Sequence, residues 1–221
     1  QNRDRKQVIY GPPGIRDFVD ATMAVWASER ELRIRWEKRA SLAAFDIEVH
    51  ELDNEGLILD QAGGRVSVVM VEHQPVEPAF GFVFEAGDKK LVVSGDTRYC
   101  DNLVRAAQGA DLVVHEVFVH GQMPVKGTRT KEGLANVAAY HTASTDVGKV
   151  AARAGAGCLL LTHIVPPDAD RLRLLSEARA EFDGPVIVGE DLMTVDLVEG
   201  TVCHGNVTFA LPSVKPSKRT G

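Results

Sequence analysis

The sequence predicts an α/β protein built on mixed β-sheets. Short apolar, β-branched-rich runs recur along it: Val66–Glu72, Phe80–Glu85, Lys89–Ser94, Leu112–Glu116 and Cys158–Thr162. Runs of about four to eight such residues, bounded by turn signals, fit buried strands. Segments with helical spacing alternate with strands only in the second half, so a β-rich first half leads into an α/β second half. The chain has 221 residues, 44% of them hydrophobic, which suits one domain with a substantial core.

Taken in order, Tyr10-Gly-Pro-Pro-Gly14 is a turn. Ile15 to about Arg30 has large residues at three- and four-residue spacing (Ile15, Phe18, Val19, Thr22, Met23, Trp26) and predicts a helix. That face packs in a core or, given how Trp and Met are used at interfaces, against a second copy of the chain. Phe45 to Asp60 alternates as edge strands and hairpins do. Gln74–Ala79 is a proline-containing loop, and Gly87-Asp88 makes a tight turn. Asp101 is placed to cap a helix over Asn102–Gln108. Val117 to about Thr130 is a long irregular stretch, and loops of that length are usually functional. Helices follow near Lys131–Tyr140, Thr145–Ala154 (capped by Thr142 or Ser144) and Asp168–Phe182, with strands at Val186–Val188 and Met193–Val198. One domain over 1–211 is expected, with 212–221 a disordered tail.

The net charge is −6 and the pI near 5.7. Only Lys215–Arg219 is locally basic, so composition disfavours a phosphate-backbone partner. No stretch approaches the ~20 apolar residues of a membrane span. Cys100, Cys158 and Cys203 are too scattered for a disulfide framework or a zinc knuckle.

Three predicted strand ends carry chemistry. His73 follows Val66–Glu72, Gly95-Asp96 follows Leu91–Ser94, and His163 follows Cys158–Thr162. Each alone reads as a structural residue, and an Asp after Gly usually caps a turn. Together they deliver imidazole and carboxylate to one rim of a sheet, the donor set of a borderline cation such as zinc. Two metals need a carboxylate able to bridge them, and Asp96 is the natural one. His141 stands between two helices, which points to an acid–base role, with Glu116 as the carboxylate that orients it. His115, next to Glu116, points to the opposite face of its strand and reads as structural. His120 in the long loop reads as solvated. His50 and His204 have no supporting context.

These strings, taken in order, resemble a known family. Val71-Glu-His73, Phe80-Gly-Phe82, Ser94-Gly-Asp-Thr-Arg98, Val114-His-Glu116, His141-Thr142 and Leu160-Leu-Thr-His163 are similar to the metallo-β-lactamase superfamily, most closely its ribonuclease Z-like branch. The resemblance covers about residues 8 to 198. It implies a four-layer αβ/βα sandwich with metals at one rim. His73 would hold the first metal, Asp96 would bridge both, His163 would hold the second, and His141 would serve the leaving group.

The family's HxHxDH motif is absent, so the chain resembles the C-terminal two-thirds of such a protein and is expected to be inactive alone. The resemblance implies zinc, two ions per full-length subunit, with Mn2+ or Fe2+ as alternatives. A homodimer is expected, with no membrane partner. A cytoplasmic location is favoured, any targeting signal lying in the missing segment. The long basic arm that ribonuclease Z enzymes carry ahead of the Gly-Asp-Thr motif is replaced by the tight turn at Gly87-Asp88. With the acidic charge, this favours small-molecule esters, lactones, sulfate esters or phosphodiesters, cleaved by metal-activated hydroxide. The alternatives are a tRNA 3′-end processing endonuclease and a non-catalytic scaffold with a degraded metal site.

Overall fold

The computed structural model describes residues 4–38, 42–127 and 130–211. The expected disordered tail at 212–221 lies outside them. The chain divides into two compact units between Asn54 and Glu55.

The first unit pairs β1 (Gln7–Gly11) in parallel with β2 (Ile47–Glu51). Between them come α1 (Ile15–Val25), α2 (Ala27–Glu37) and a single 3-10 turn at Ala43–Phe45. The α1 start is satisfied from β2, because a Glu51 carboxylate oxygen accepts the N–H groups of Gly14 and Arg16. The single helix expected from Ile15 to Arg30 is broken at Trp26. The Thr22 hydroxyl donates back to the Phe18 carbonyl, and the next bond along, Trp26 N to Thr22 O, is stretched to 3.4 Å. Back-bonding of this kind bends helices. The alternating stretch Phe45–Asp60 is likewise no hairpin: β2 pairs with β1, and β3 (Gly56–Gln61) pairs with β4.

The second unit is built on one seven-stranded sheet in chain order. It comprises β3, β4 (Gly64–Val71), β5 (Ala79–Ala86), β6 (Lys89–Val93), β7 (Leu112–Phe118), β8 (Leu159–Val165) and β9 (Val186–Val188). Pairing is antiparallel from β3 to β6 and parallel from β6 to β9. The parallel crossovers are carried by α3 (Asp101–Ala106), α5 (Ser144–Ala154) and α6 (Arg171–Arg179). α4 (Lys131–Ala139) precedes α5, and β10 (Thr194–Asp196), β11 (Thr201–His204) and β12 (Val207–Ala210) form a small antiparallel sheet.

One face of the large sheet packs on these crossover helices. Val69, Val71, Val83, Val92, Val113 and Leu161 meet Leu103, Val147, Val150 and Leu174 in a single core. Alternation along each strand turns the intervening residues, such as Phe82, Phe84 and Leu91, to the other face. Gly148 lets α5 and α6 close up, since a β-carbon there would stand 2.1 Å from the Ala178 carbonyl oxygen.

The expected caps differ in detail. Ala143, with no side-chain bond, precedes α5, while the Ser144 hydroxyl binds Glu177. Thr142 Oγ1 donates instead to the Thr97 carbonyl. Asp101 is the first residue of α3, and its carboxylate takes Arg153.

Candidate metal centre

The topology places the chemistry. β6, β7 and β8 are parallel, and β4 runs the same way because two antiparallel steps separate it from β6. Their C-terminal ends therefore share one rim. His73 leaves β4 there, Asp96 leaves β6, Glu116 lies near the end of β7 and His163 near the end of β8.

The Asp96 turn is tightly determined. Gly95 has φ 61°, and a β-carbon on it would stand 2.2 Å from the Phe80 carbonyl oxygen, so glycine is required. Ser94 Oγ accepts from the Glu116 N–H at 3.0 Å, and Thr97 Oγ1 accepts from the Glu72 N–H at 3.1 Å. These bonds bolt the turn to β7 and to the end of β4.

His163 is carried by a bulge. Thr162 pairs with Glu116 and Ile164 with Val117, leaving His163 unmatched at φ 40°. Bulges next to sites re-aim side chains, and a non-glycine residue at positive φ is strained backbone.

The two histidines flank the aspartate. His73 Nε2 lies 3.9 Å from Asp96 Oδ2, and His163 Nδ1 lies 3.6 Å from Asp96 Oδ1. Both separations exceed a hydrogen bond. Donors held about 2.0–2.1 Å from a tetrahedral cation stand roughly 3.3–3.4 Å apart, so the two separations are a few tenths of an ångström wider than those of atoms gathered around an ion. The His73 tautomer suits the same purpose. Its Nδ1 is 2.9 Å from the Tyr140 carbonyl oxygen, which can only accept, so Nδ1 carries the proton and Nε2 keeps its lone pair. The site is open to solvent at Asp96 and His163, whose side chains are 41% and 49% exposed, and closed at His73.

Beneath it lies a buried pair. Glu116 Oε1 accepts from His141 Nδ1 at 3.1 Å, from the Thr97 N–H at 3.1 Å and from the Thr142 N–H at 3.0 Å. Burial alone would lower the His141 pKa, but the Glu116 bond and the charges of Glu116 and Asp96 hold it above the ordinary histidine value. The His141 ring stands 5.1 Å from that of His73 and 5.6 Å from that of His163. All five residues singled out in the sequence thus meet at one rim.

A second grouping overlaps them. Ligand-capable atoms of Glu116, His141 and His163 all lie within 4.8 Å of one another. Glu116 Oε2 is buried without a partner among the described residues, whereas Oε1 is filled by three donors.

Sequence patterns gave no access to the Tyr140 carbonyl, a main-chain group. Thr97 and Thr142 stand inside the motif strings, but the sequence assigns Thr97 no role and offers Thr142 only as a helix cap, whereas both hold Glu116 through their N–H groups. His115 is fully buried; its Nδ1 donates to the Glu116 carbonyl at 2.7 Å and its Nε2 has no partner among the described residues. His120 is exposed and meets Phe118 edge-on, with centroids 5.1 Å apart.

A mixed sheet presenting histidine and carboxylate donors at one rim, with a histidine–glutamate pair behind them, defines a metal-dependent hydrolase. The chain belongs to the metallo-β-lactamase superfamily, in its ribonuclease Z-like branch: the family model described as β-lactamase superfamily domain matches residues 3–164. Ribonuclease Z of Mycobacterium tuberculosis (strain H37Rv) is 33% identical over 196 residues, covering 86% of this chain and 68% of that protein. Ribonuclease Z of Mycobacterium sp. (strain KMS) is 34% identical over 197 residues, covering 88% and 67%. The chain thus spans about two-thirds of these relatives.

Solved structures agree on the fold. Human tRNase Z, short form, superposes with a TM-score of 0.57 at 21% identity, over 88% of this chain and 69% of that one. The metallo-β-lactamase fold protein YhfI from Bacillus subtilis gives 0.55 at 23% identity, over 83% and 62%.

Proposed function

We propose that this chain carries most of the active site of a metal-dependent phosphodiesterase of the ribonuclease Z kind, acting at the 3′ region of an RNA. The observation that carries it is Asp96 set between His73 and His163, with the His141–Glu116 pair behind, in a chain whose relatives are named ribonuclease Z. His73, Asp96 and His163 would hold divalent cations, zinc by donor type. Asp96 has one oxygen toward each histidine, as a bridging carboxylate requires. These residues fit such ions but supply two donors to each, fewer than the three that a catalytic zinc usually has. When bound, such ions acidify water and polarise a phosphoryl group. Glu116 keeps the proton on His141 Nδ1, so the Nε2 proton of the imidazolium can pass to the departing 3′ oxygen. Water oxygen joins phosphorus as the P–O3′ bond breaks and the water's proton is released to solvent, from which His141 is reprotonated, leaving a 3′-hydroxyl and a 5′-phosphate.

The substrate preference expected from charge and the missing arm ran toward small molecules, and the relatives pull the other way. Net charge is a whole-chain quantity, and bound cations are often the largest charges in a site. One observation still favours the small-molecule reading. β5 and β6 are joined by two residues, with Ala86 paired to Lys89, so no arm leaves the sheet there.

The test compares a pre-tRNA transcript with a chromogenic phosphodiester and ester panel, at equal zinc and physiological salt, using the full-length protein. Salt-sensitive cleavage at the tRNA 3′ end supports the reading. Turnover of small esters or diesters without RNA cleavage replaces it with the second.

A further inference from the structure

Tyr140 closes α4 and stands directly before His141. Its stretch of backbone is held on both sides. The Tyr140 N–H reaches back to the Val137 carbonyl, while the Thr142 N–H donates to Glu116 and the Thr142 hydroxyl to the Thr97 carbonyl. From this fixed stem Tyr140 meets the centre in two ways. Its carbonyl accepts from His73 Nδ1 at 2.9 Å. Its ring stands edge-on to the His73 ring, at 82° with centroids 4.9 Å apart, and tilted at 53° against the His141 ring, again at 4.9 Å. The His73 and His141 rings are themselves 5.1 Å apart, so the three rings form a closed triangle.

We infer that Tyr140 is a positioning residue, whose ring sets the planes of the metal ligand His73 and of the acid His141 together. The inference rests on the hydrolase reading above for the roles of those two histidines. The last torsion of a histidine side chain, between an sp3 and an sp2 carbon, has broad and roughly two-fold wells. One hydrogen bond pins one ring atom. Glu116 pins His141 at Nδ1, and the Tyr140 carbonyl pins His73 at Nδ1. Each bond leaves the working Nε2 free to swing, and a contact against the ring itself removes that swing. The Tyr140 contacts are edge-on and tilted, within the ~4.5–7 Å spacing of favourable aromatic pairs. His141 has a further support, since the buried Phe118 ring lies nearly parallel to it, at 11° and 6.2 Å between centroids. Among the described residues His73 has only Tyr140 and His141 as ring neighbours. Loss of the Tyr140 ring therefore falls first on the ligand, and through the shared contact on the acid.

Tyr140→Leu separates the ring from the carbonyl, because any residue at this position keeps the main-chain acceptor. In the full-length protein it should raise the zinc dissociation constant about tenfold, measured against a competing chromogenic chelator. It should also lower kcat at saturating zinc about tenfold, with KM within about twofold; both losses are on the scale seen when the support of a ligating histidine is removed. Tyr140→Phe, which keeps the ring and drops the hydroxyl, should recover both. Turnover is read on whichever of the pre-tRNA transcript and bis(p-nitrophenyl) phosphate the wild type cleaves. The zinc titration needs no turnover, so failure of the hydrolase reading leaves it to decide alone. If Tyr140→Leu does not fold, by far-ultraviolet dichroism, Tyr140→Met repeats the test with a ringless side chain that adapts to irregular space. A folded ringless variant with wild-type zinc affinity and kcat overturns the inference. So does Tyr140→Phe as impaired as Tyr140→Leu, which makes the hydroxyl the active part. A raised KM with kcat and zinc affinity unchanged overturns it too, and assigns the ring to the substrate.

Discussion

Glu116 Oε1 accepts a hydrogen bond from His141 Nδ1 at 3.1 Å while the same oxygen holds two backbone N–H groups, from Thr97 and Thr142. The carboxylate is thus a hub joining the Asp96 turn, the end of β7 and the His141 segment. Oε1, filled by three donors, has no place for an ion, and only the unpartnered Oε2 could ligate one, so the positioning role proposed for Glu116 can be separated from ligation.

That separation is measurable. Asp96→Ala should lose both zinc, by mass spectrometry, and turnover. His141→Ala and Glu116→Gln should keep zinc within about twofold and lose turnover by at least about a hundredfold and tenfold respectively, the scale of general acid–base catalysis. Glu116→Gln should also cost about 1–3 kcal/mol in urea unfolding, since one amide cannot reproduce a carboxylate that serves three donors. Zinc loss in Glu116→Gln equal to that in Asp96→Ala would make Glu116 a ligand, alongside His141 and His163.

Gly95→Ala tests the turn that delivers Asp96. The added methyl meets the Phe80 carbonyl oxygen at 2.2 Å in a backbone at φ 61°. Left-handed backbone alone costs about 1–2 kcal/mol for a residue with a β-carbon, and the clash must add to it. A loss of at least 2 kcal/mol on unfolding is expected, with weaker zinc binding because Asp96 is displaced. A variant of wild-type stability and metal content would mean the turn tolerates a different path.

Asp96, Glu116 and His141 could be picked from the sequence because each stands in or just after an apolar run whose period says strand, or beside a threonine between two helices. His163 was found for an incomplete reason. The apolar run Cys158–Thr162 predicts a strand end there, whereas β8 continues to Val165 and steps His163 out through a bulge. Periodicity marks where alternation stops, and it cannot distinguish an end from an inserted residue. The break at Trp26 depends on a side-chain bond from Thr22, and the partner of β2 on a parallel pairing with β1; neither leaves a periodic trace.

His115 should make the protein acid-sensitive. Burial outweighs its bond to the Glu116 carbonyl and the nearby Glu116 charge, and holds its pKa below the ordinary histidine value. The unfolded chain therefore binds a proton near pH 6.5 that the folded one refuses, so stability falls as pH drops below about 6.5, by up to ~1.4 kcal/mol per pH unit. His141 contributes with the opposite sign, because its pKa is raised: its stabilisation is present in acid and is lost as pH rises through the folded value. Comparing urea unfolding of wild type and His115→Leu from pH 7 to 5 cancels the His141 contribution. The variant should lose less stability on acidification. Parallel pH profiles would show that His115 is protonated in the native state.

The last prediction concerns the first unit. Along α1, α2 and Trp26 between them, Phe18, Val25, Trp26, Leu32 and Trp36 are 67%, 82%, 59%, 52% and 75% exposed, and Val19 is the one buried residue of α1. Phe18 and Val25 are seven residues apart on one helix and Leu32 and Trp36 four apart on the next, so each helix carries an apolar stripe. Exposed apolar patches mark interaction surfaces, and Trp and Phe are enriched where copies meet. The protein should sediment as a homodimer at micromolar concentration. Trp36→Lys with Val25→Asp should shift it toward monomer, raising the dissociation constant at least tenfold, because the changes place charges in a desolvated contact. A wild-type protein that sediments as a strict monomer would leave these stripes without the partner proposed for them.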